Sequence, residues 1–492
     1  MKHPRLIPMA LAVLVAAAIA LSVHCGAVER DATPANPYKS VRIDGVPHVR
    51  QKPDFCGEAC AAMYLQKLGC KVDQNYVFDQ SGLDPLLARG CYTKELAAAL
   101  TKIGFRVGPV WHQVAAAKQA EQTEALWKAL HADLAAGIPS IICMYYDAKR
   151  GAPEHFRLIL GYDAATDEAL YHEAAEAAGA YRRMKRAELL ALWPLKGDGK
   201  QATVIRLRLE PGPQLSRGVY PRAASGTLTA ADYAQHMMTL KKKIPSRGFT
   251  VIIQPPLVVI GDESPEMVKR RAVGTVKWAV DKLKAAYFAK DPAEILDIWL
   301  FQDDDSYLKH CKSIFQTTPD TPYGYFSHTE RALVMNIGTG GGTLVHEIVH
   351  PFMAANFPEC PAWFNEGLGS LYEQSGEENG QIHGYTNWRL VGDRGLQAAI
   401  RQKRVPSFKT LCSTTTDEFY RKDKGTNYAQ ARYLCYYLQQ CGLLGKFYHA
   451  FYKNRQEDPT GYNTLKAILG RSDMEGFQKQ WEAWVLKLKF PE

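Results

Sequence analysis

His346, Glu347 and His350 form an H-E-x-x-H run, and Trp363-Phe364-Asn365-Glu366-Gly367 follows shortly after. Together they constrain the chain more than any other feature. On a helix, positions i and i+4 sit one above the other, so both imidazoles face one point about a turn apart. Two neutral imidazoles and one carboxylate give three protein ligands for zinc and leave a fourth position for water. The expected ligands are His346, His350 and Glu366, for one zinc per chain, with Glu347 as general base toward the water. The plain alternative is an amphipathic helix that carries surface histidines.

The flanking sequence supports the metal reading. Residues 331–337 (RALVMNI) are apolar and β-branched, and Gly338-Thr339-Gly340-Gly341-Gly342 then turns the chain into Thr343-Leu344-Val345-His346. The pattern predicts strand, glycine loop and helix. An edge strand beside such a helix can hold an extended peptide by main-chain hydrogen bonds. Pro351 removes the amide that would bond to the Glu347 carbonyl, so a kink is expected just after the ligands. Residues 315–373 resemble the gluzincin metallopeptidases, with Asn365 through Glu373 (NEGLGSLYE) very like their second motif. That resemblance implies a zincin fold, His346, His350 and Glu366 as ligands, and Glu347 as base. It also implies an oxyanion-stabilising tyrosine at the head of a later helix, a place Tyr428 occupies, with His383 and Tyr385 next in line. Tyr428, Tyr433, Tyr436 and Tyr437 also read as one face of an aromatic helix in a core. The G-x-M-E-N segment of the aminopeptidase members is absent.

The amino-terminal half carries an independent constellation. Gln51-Lys52-Pro53-Asp54-Phe55-Cys56-Gly57-Glu58-Ala59-Cys60 leads into an apolar helix that ends at Gly69. A cysteine in the first turn of a helix has its thiolate favoured by exposed amides and the helix dipole. Gln51 can donate its amide to an oxyanion. Residues 139–147 and 155–163 read as strands, and 169–173 as a hairpin partner. His155 then serves as base and Glu173 orients it, with Glu176 and His172 as alternatives. The plain reading of Cys56 is a small buried hydrophobe, since a bridge to Cys60 four residues along a helix has poor geometry.

This half resembles the papain-like peptidases that trim double-glycine leaders from bacteriocins, over about residues 45–195. Gln51, Cys56, His155 and Glu173 fall where those peptidases have glutamine, cysteine, histidine and an acidic residue or asparagine. Phe55 stands where aspartate is common, and Glu173 where aspartate or asparagine is usual.

Residues 1–5 are a short basic start, 6–23 are apolar, and Cys25-Gly26-Ala27 precede a polar segment. This pattern predicts a secretion signal over 1–27 and export to the periplasm or surface of a bacterium. The alternatives are a lipid anchor at Cys25 or an uncleaved span, because the stretch approaches the ~20 residues that cross a bilayer. A linker is expected over 28–44, a papain-like unit over 45–208, a Pro/Gly-rich linker over 209–246 and the zinc unit over 247–492. The fold class expected is α+β in two domains, which 46% hydrophobic and 23% charged residues can support. A net charge of +9 is spread along the chain, and nothing in the pattern points to nucleic acid. Eleven cysteines include the pairs Cys70–Cys91 and Cys360–Cys412, considered as bridges.

The expected function is hydrolysis of peptide bonds in a peptide or protein substrate, by a zinc-activated water and by a second, Cys-His thiol site. A zinc peptidase with an inactive, peptide-binding amino-terminal unit is the runner-up. A surface scaffold without activity is the third reading.

Overall fold

The computed structural model describes residues 36–490, apart from 198, 223–225, 246, 328 and 422–424. The signal expected over 1–27 lies outside the described residues. Among the described residues, no helix is long and apolar enough to cross a membrane.

In the amino-terminal half, strands β1 (Val41–Arg42), β2 (Trp111–Ala115), β3 (Ser140–Tyr145) and β4 (Glu154–Asp163) join β5 (Glu168–His172), β6 (Arg182–Lys185), β7 (Leu195–Lys196) and β8 (Gln201–Arg208). They form one antiparallel sheet in the order β2-β8-β3-β4-β5-β6, with β1 on β4 and β7 on β8. Alternation along the strands sorts side chains between two cores. Ile141, Cys143, Phe156 and Leu158 face helix α1 (Cys56–Lys67), while Ile142, Met144 and Ile159 face Trp127 and Trp193. Helix α1 is apolar on all sides and buried from Gly57 to Leu65, as suits a helix in the middle of a domain.

Both expected linkers contain packed structure. Val41 and Arg42 pair with Tyr162 and Gly161. Between 209 and 246, helix α2 (Ala230–Leu240) starts on a Thr229/Asp232 capping box. Ala231 and Ala234 enter the amino-terminal core, while Tyr233, Met237 and Leu240 enter a core of the carboxy-terminal half. Gln235 Nε2 donates to the Pro53 carbonyl at 3.0 Å, and Asn75 Nδ2 to Asp232 Oδ1 at 2.8 Å. Helix α2 is thus a shared wall of both halves.

The carboxy-terminal half holds strands β9 (Thr250–Gln254), β10 (Leu257–Gly261), β11 (Leu296–Phe301), β12 (Gly324–Ser327) and β13 (Ala332–Asn336). Their order is β9-β10-β11-β13-β12, parallel in the middle and antiparallel at both ends. The 331–337 run is therefore an interior strand, and the edge next to the candidate site is β12. Both sheet faces are covered: Val258, Ile260 and Trp299 pack on α2, while Val259, Ile298 and Leu333 pack under the site helices. Two-sided burial explains why these strands read as continuous apolar runs.

Helix α3 (Pro265–Arg271) starts with Ser264 as cap and Pro265 in the first turn, and passes through a π-helical turn (Ala272–Lys277) into α4 (Trp278–Ala286). Helices α5 (Gly342–Asn356) and α6 (Ala362–Leu371) then cross under the sheet, followed by the β14 (Ser375–Glu378) and β15 (Gln381–Gly384) hairpin. Pro351 does not end α5, which continues to Asn356. Helix α7 (Thr416–Arg421) and the long α8 (Thr426–Gln440) complete the surroundings of the site.

Candidate active sites

Helices α5 and α6 bring His346, His350 and Glu366 together, with one ligand atom of each within 4.8 Å of the others. The imidazole centroids are 4.9 Å apart, as the i, i+4 spacing requires. His346 Nε2 lies 3.1 Å from Glu366 Oε2, and His350 Nε2 lies 3.7 Å from Glu366 Oε1. Each histidine is held from behind. His346 Nδ1 bonds to Glu373 Oε1 at 3.1 Å, and His350 Nδ1 to Asn365 Oδ1 at 3.0 Å. Glu373 accepts from Arg389 at 2.8 and 3.1 Å and from Asn387 Nδ2 at 2.9 Å. Such outer partners fix tautomer and ring orientation in metal sites.

Close approach of the two helices depends on glycine. A Cβ at Gly369 would come 3.0 Å from His346 Cδ2 and 3.3 Å from His350 Cε1. Where α5 begins, a Cβ at Gly342 would meet the Glu373 carbonyl at 2.0 Å. The carboxy-terminal end of α6 is held by the buried Arg432, which donates to the Ser370 and Leu371 carbonyls.

Burial disfavours charge throughout this cluster, but hydrogen bonds to Glu366 and Glu373 outweigh it and hold the His346 imidazolium up to about 10. Burial likewise works against ionisation of Glu366 and Glu373, and the bonds to His346 overcome it, bringing both carboxyls down to about 2. The residues converge on a point that favours positive charge.

A cleft of about 1330 Å³ opens over the cluster. Glu347, Tyr420, Tyr428, Trp388 and Arg389 line it, together with β12, Gly274 and Thr275 of the π-helical turn, and the 339–342 loop. Tyr428 lies in the first turn of α8 and reaches the cleft, while Tyr433 is buried and Tyr436 and Tyr437 pack on Trp484. The helix thus sends Tyr428 to the cleft and its later tyrosines into packing. Burial, together with the charge of Glu366, raises the Tyr428 phenol and keeps its proton in place. His383 turns to Gln439 Nε2 at 3.1 Å, and Tyr385 covers Gly376; neither lines the cleft.

In the amino-terminal half, Cys56 opens α1 against the backbone of Phe156, next to His155 on β4. His155 Nε2 meets Glu173 Oε1 at 2.5 Å, so the two residues expected as base and orienting group are paired. Glu173 is also bound by Arg157, whose Nε reaches Oε2 at 2.7 Å. Burial works against the Glu173 charge, but the bond to His155 and the neighbouring cations bring it down to about 2. The alternatives fall away: Glu176 pairs with Arg182 at 3.2 Å, and His172 turns into the core beside His48 and Tyr181. Gln51 donates its backbone amide to the Ala174 carbonyl, and its Oε1 is buried without a hydrogen-bond partner.

The expected lowering of the Cys56 pKa does not occur. Burial pushes the thiol up to about 12, against the backbone N–H groups of Phe156 and Gly57, and Glu58 and Asp54 add to the rise. All ten described cysteines are free, so neither Cys70–Cys91 nor Cys360–Cys412 is a bridge.

Residues 43–200 match the Peptidase_C39 like family. That match spans about a third of the chain and supports a peptidase-type, hydrolytic amino-terminal half. No curated protein matches the chain.

Four residues at these sites were not singled out from the sequence. Arg157 stands two places after His155 on one strand, so both side chains share a face, a signal the period of two carries. Glu373 stands seven after Glu366, just past the end of α6. Arg389 and Tyr420 arrive from separate elements, and nothing in their local sequence announces them.

Proposed function

We propose that the chain is an exported peptidase whose carboxy-terminal cleft works as a single-zinc site and whose amino-terminal half carries a thiol site. The observation that carries the first part is the convergence of His346, His350 and Glu366, each bonded to a second residue that fixes it. Two imidazole nitrogens and a carboxylate oxygen suit zinc, and the outer carboxylate and amide suit neutral, oriented histidines. Zinc held there supplies Lewis acidity toward a peptide carbonyl and the attacking water. Glu347, on the cleft wall, accepts a proton from that water at its carboxylate and passes it to the leaving amine. Tyr428 keeps its phenolic proton and donates a hydrogen bond to the carbonyl oxygen under attack. Strand β12, last in its sheet, offers main-chain groups to an extended peptide. A scaffold without activity would leave Glu347 with no role.

At the thiol site, His155 takes the Cys56 proton, Glu173 holds the imidazole, Arg157 holds Glu173, and the Gln51 amide serves the oxyanion. Burial of Cys56 favours a second reading for this half, a peptide-binding unit without turnover.

Metal analysis and cleavage of an unstructured protein such as casein test both parts. Purified protein should hold about one zinc per chain, since the ligand set is complete for one ion. His346→Ala should release it, while Glu347→Gln should retain it and lose about 10²–10⁴-fold in turnover. Full activity in Glu347→Gln overturns the zinc mechanism. Cys56→Ala should abolish any cleavage blocked by alkylation and leave chelator-sensitive cleavage intact; a Cys56 that resists alkylation in the folded protein favours the binding unit.

A further inference from the structure

The Glu366 carboxylate has two unlike oxygens. Oε2 faces His346 Nε2 at 3.1 Å, while Oε1 accepts from the Tyr420 hydroxyl at 2.5 Å and stands 3.7 Å from His350 Nε2. Glu366 is 5% exposed, so an oxygen without a partner would carry a desolvation cost. Tyr420 reaches it from α7, an element that supplies none of the three candidate ligands. Its ring is 5.5 Å from Phe419 and 6.0 Å from Tyr428, so the phenol is braced on the protein side while 44% of the residue faces solvent and the cleft. Tyr428, beside it, has no hydrogen-bond partner among the described residues. Two tyrosines share the wall, and only one of them is committed to the carboxylate.

We propose that Tyr420 is a positioning residue for the metal site: its hydroxyl engages Glu366 Oε1 and presents Oε2 as the donor oxygen, which leaves the neighbouring Tyr428 as the hydroxyl available to substrate. This assignment rests on the zinc reading above. A carboxylate turns easily about its terminal bond, and a charge-assisted hydrogen bond at one oxygen fixes that rotation. Loss of an outer partner of this kind typically weakens metal binding by about 10–100-fold. The two tyrosines therefore separate by which quantity each one moves.

Full-length protein stripped with chelator and titrated with zinc against a chromophoric competitor gives the test. Tyr420→Phe should raise the zinc dissociation constant by about 10–100-fold, and its turnover at saturating zinc should return close to wild type. Tyr428→Phe should leave zinc affinity unchanged and lower turnover by about 10²–10³-fold. Tyr420→His, which retains a donor at the ring tip, should recover part of the lost affinity and guards against a general packing effect of the phenylalanine. Circular dichroism of each metal-free variant confirms that it is folded. Wild-type zinc affinity in folded Tyr420→Phe overturns the assignment and leaves the zinc reading intact. So does an equal loss of affinity in Tyr428→Phe. Wild-type protein that takes up no zinc overturns the zinc reading itself, and this assignment with it.

Discussion

Gly369→Ala puts one methyl group between the two imidazoles and asks what the site tolerates. The new Cβ would lie 3.0 Å from His346 Cδ2, 3.1 Å from His346 Nε2 and 3.3 Å from His350 Cε1. Ordinary carbon contacts are about 3.5–4.0 Å, so each neighbour must give by a few tenths of an ångström. Little around it can yield. The rings are tied from behind to Glu373 at 3.1 Å and Asn365 at 3.0 Å. Helix α6 cannot retreat either, because a Cβ at Gly367 would already meet the Ala431 carbonyl and Cys435 Sγ of α8 at 3.0 Å. Overpacking of this kind costs about 1–3 kcal/mol. Alanine returns about 0.5–1 kcal/mol in a helix interior. The metal-free protein should therefore lose at most about 2.5 kcal/mol, since its rings can tilt and share the strain. Ligation removes that freedom, so the strain falls on the loaded state, and about 1–3 kcal/mol there corresponds to roughly 5–150-fold weaker zinc binding. Competitive zinc titration, with thermal unfolding of the metal-free protein, reads both quantities. Gly445→Ala is the control: its Cβ would meet only the Ala286 carbonyl, at 4.0 Å. It should add up to about 1 kcal/mol of stability and leave zinc affinity alone. Zinc binding by Gly369→Ala within about twofold of wild type would refute the reasoning.

Arg157→Leu strands the buried Glu173 charge and should cost about 3–5 kcal/mol in urea unfolding; adding Glu173→Gln should recover a large part, and strictly additive losses would show that the pair is not coupled. For pH, the buried His172 imidazole is pushed down to about 4 by desolvation, with His48 adding to it. The unfolded chain then takes up that proton first, so stability is complete above about pH 6.5 and falls as pH drops toward 4, by roughly 1–3 kcal/mol. Glu173, brought down to about 2 chiefly by its bond to His155 against burial, loses its contribution in a lower window, from about pH 4.5 downward. His172→Phe should flatten only the upper window in a melting-temperature profile; an unchanged profile between pH 6.5 and 4 would remove His172 as the cause.

What was legible in the sequence was whatever a single element's period carries. The i, i+4 histidines, the strand over RALVMNI, the strands around His155 and the helix that opens at Cys56 all follow from local spacing. The position of β13 inside its sheet was not legible, because β12 (GYFS, with Gly324 at its start) is too short to register and strand order is set by long-range pairing. Linker composition misled in the same way: Glu210 and Pro211 pair with Arg106 and Phe105, a short helix over Pro213–Ser216 puts Leu215 into the amino-terminal core, and α2 further on is held by two cores that no local pattern reveals. The thiol shows a competition between two rules. A first-turn position favours the thiolate, but that effect falls off within a turn, while desolvation of the partly buried thiol acts on the whole charge. Position could be read from sequence and burial could not.

The two sites share a device and differ in their charge. In each, a buried carboxylate accepts from a histidine and from an arginine: Glu173 from His155 and Arg157, Glu373 from His346 and Arg389. The arginine balances the carboxylate, so the carboxylate can orient an imidazole without requiring that the imidazole itself be charged. At the thiol site that balance covers Glu173, while Glu58 and Asp54 near Cys56 add negative charge of their own. At the second site Glu366 adds a further buried carboxylate, and Glu347 lines the same cleft, with no second arginine among the cleft residues to offset them. The surplus is negative and centred on His346, His350 and Glu366. In a low-dielectric site such a surplus favours positive charge, and the His346 imidazolium, held up to about 10, answers it here. One constellation thus balances its orienting carboxylate with an arginine, and the other adds a second buried carboxylate where its candidate ligand atoms converge.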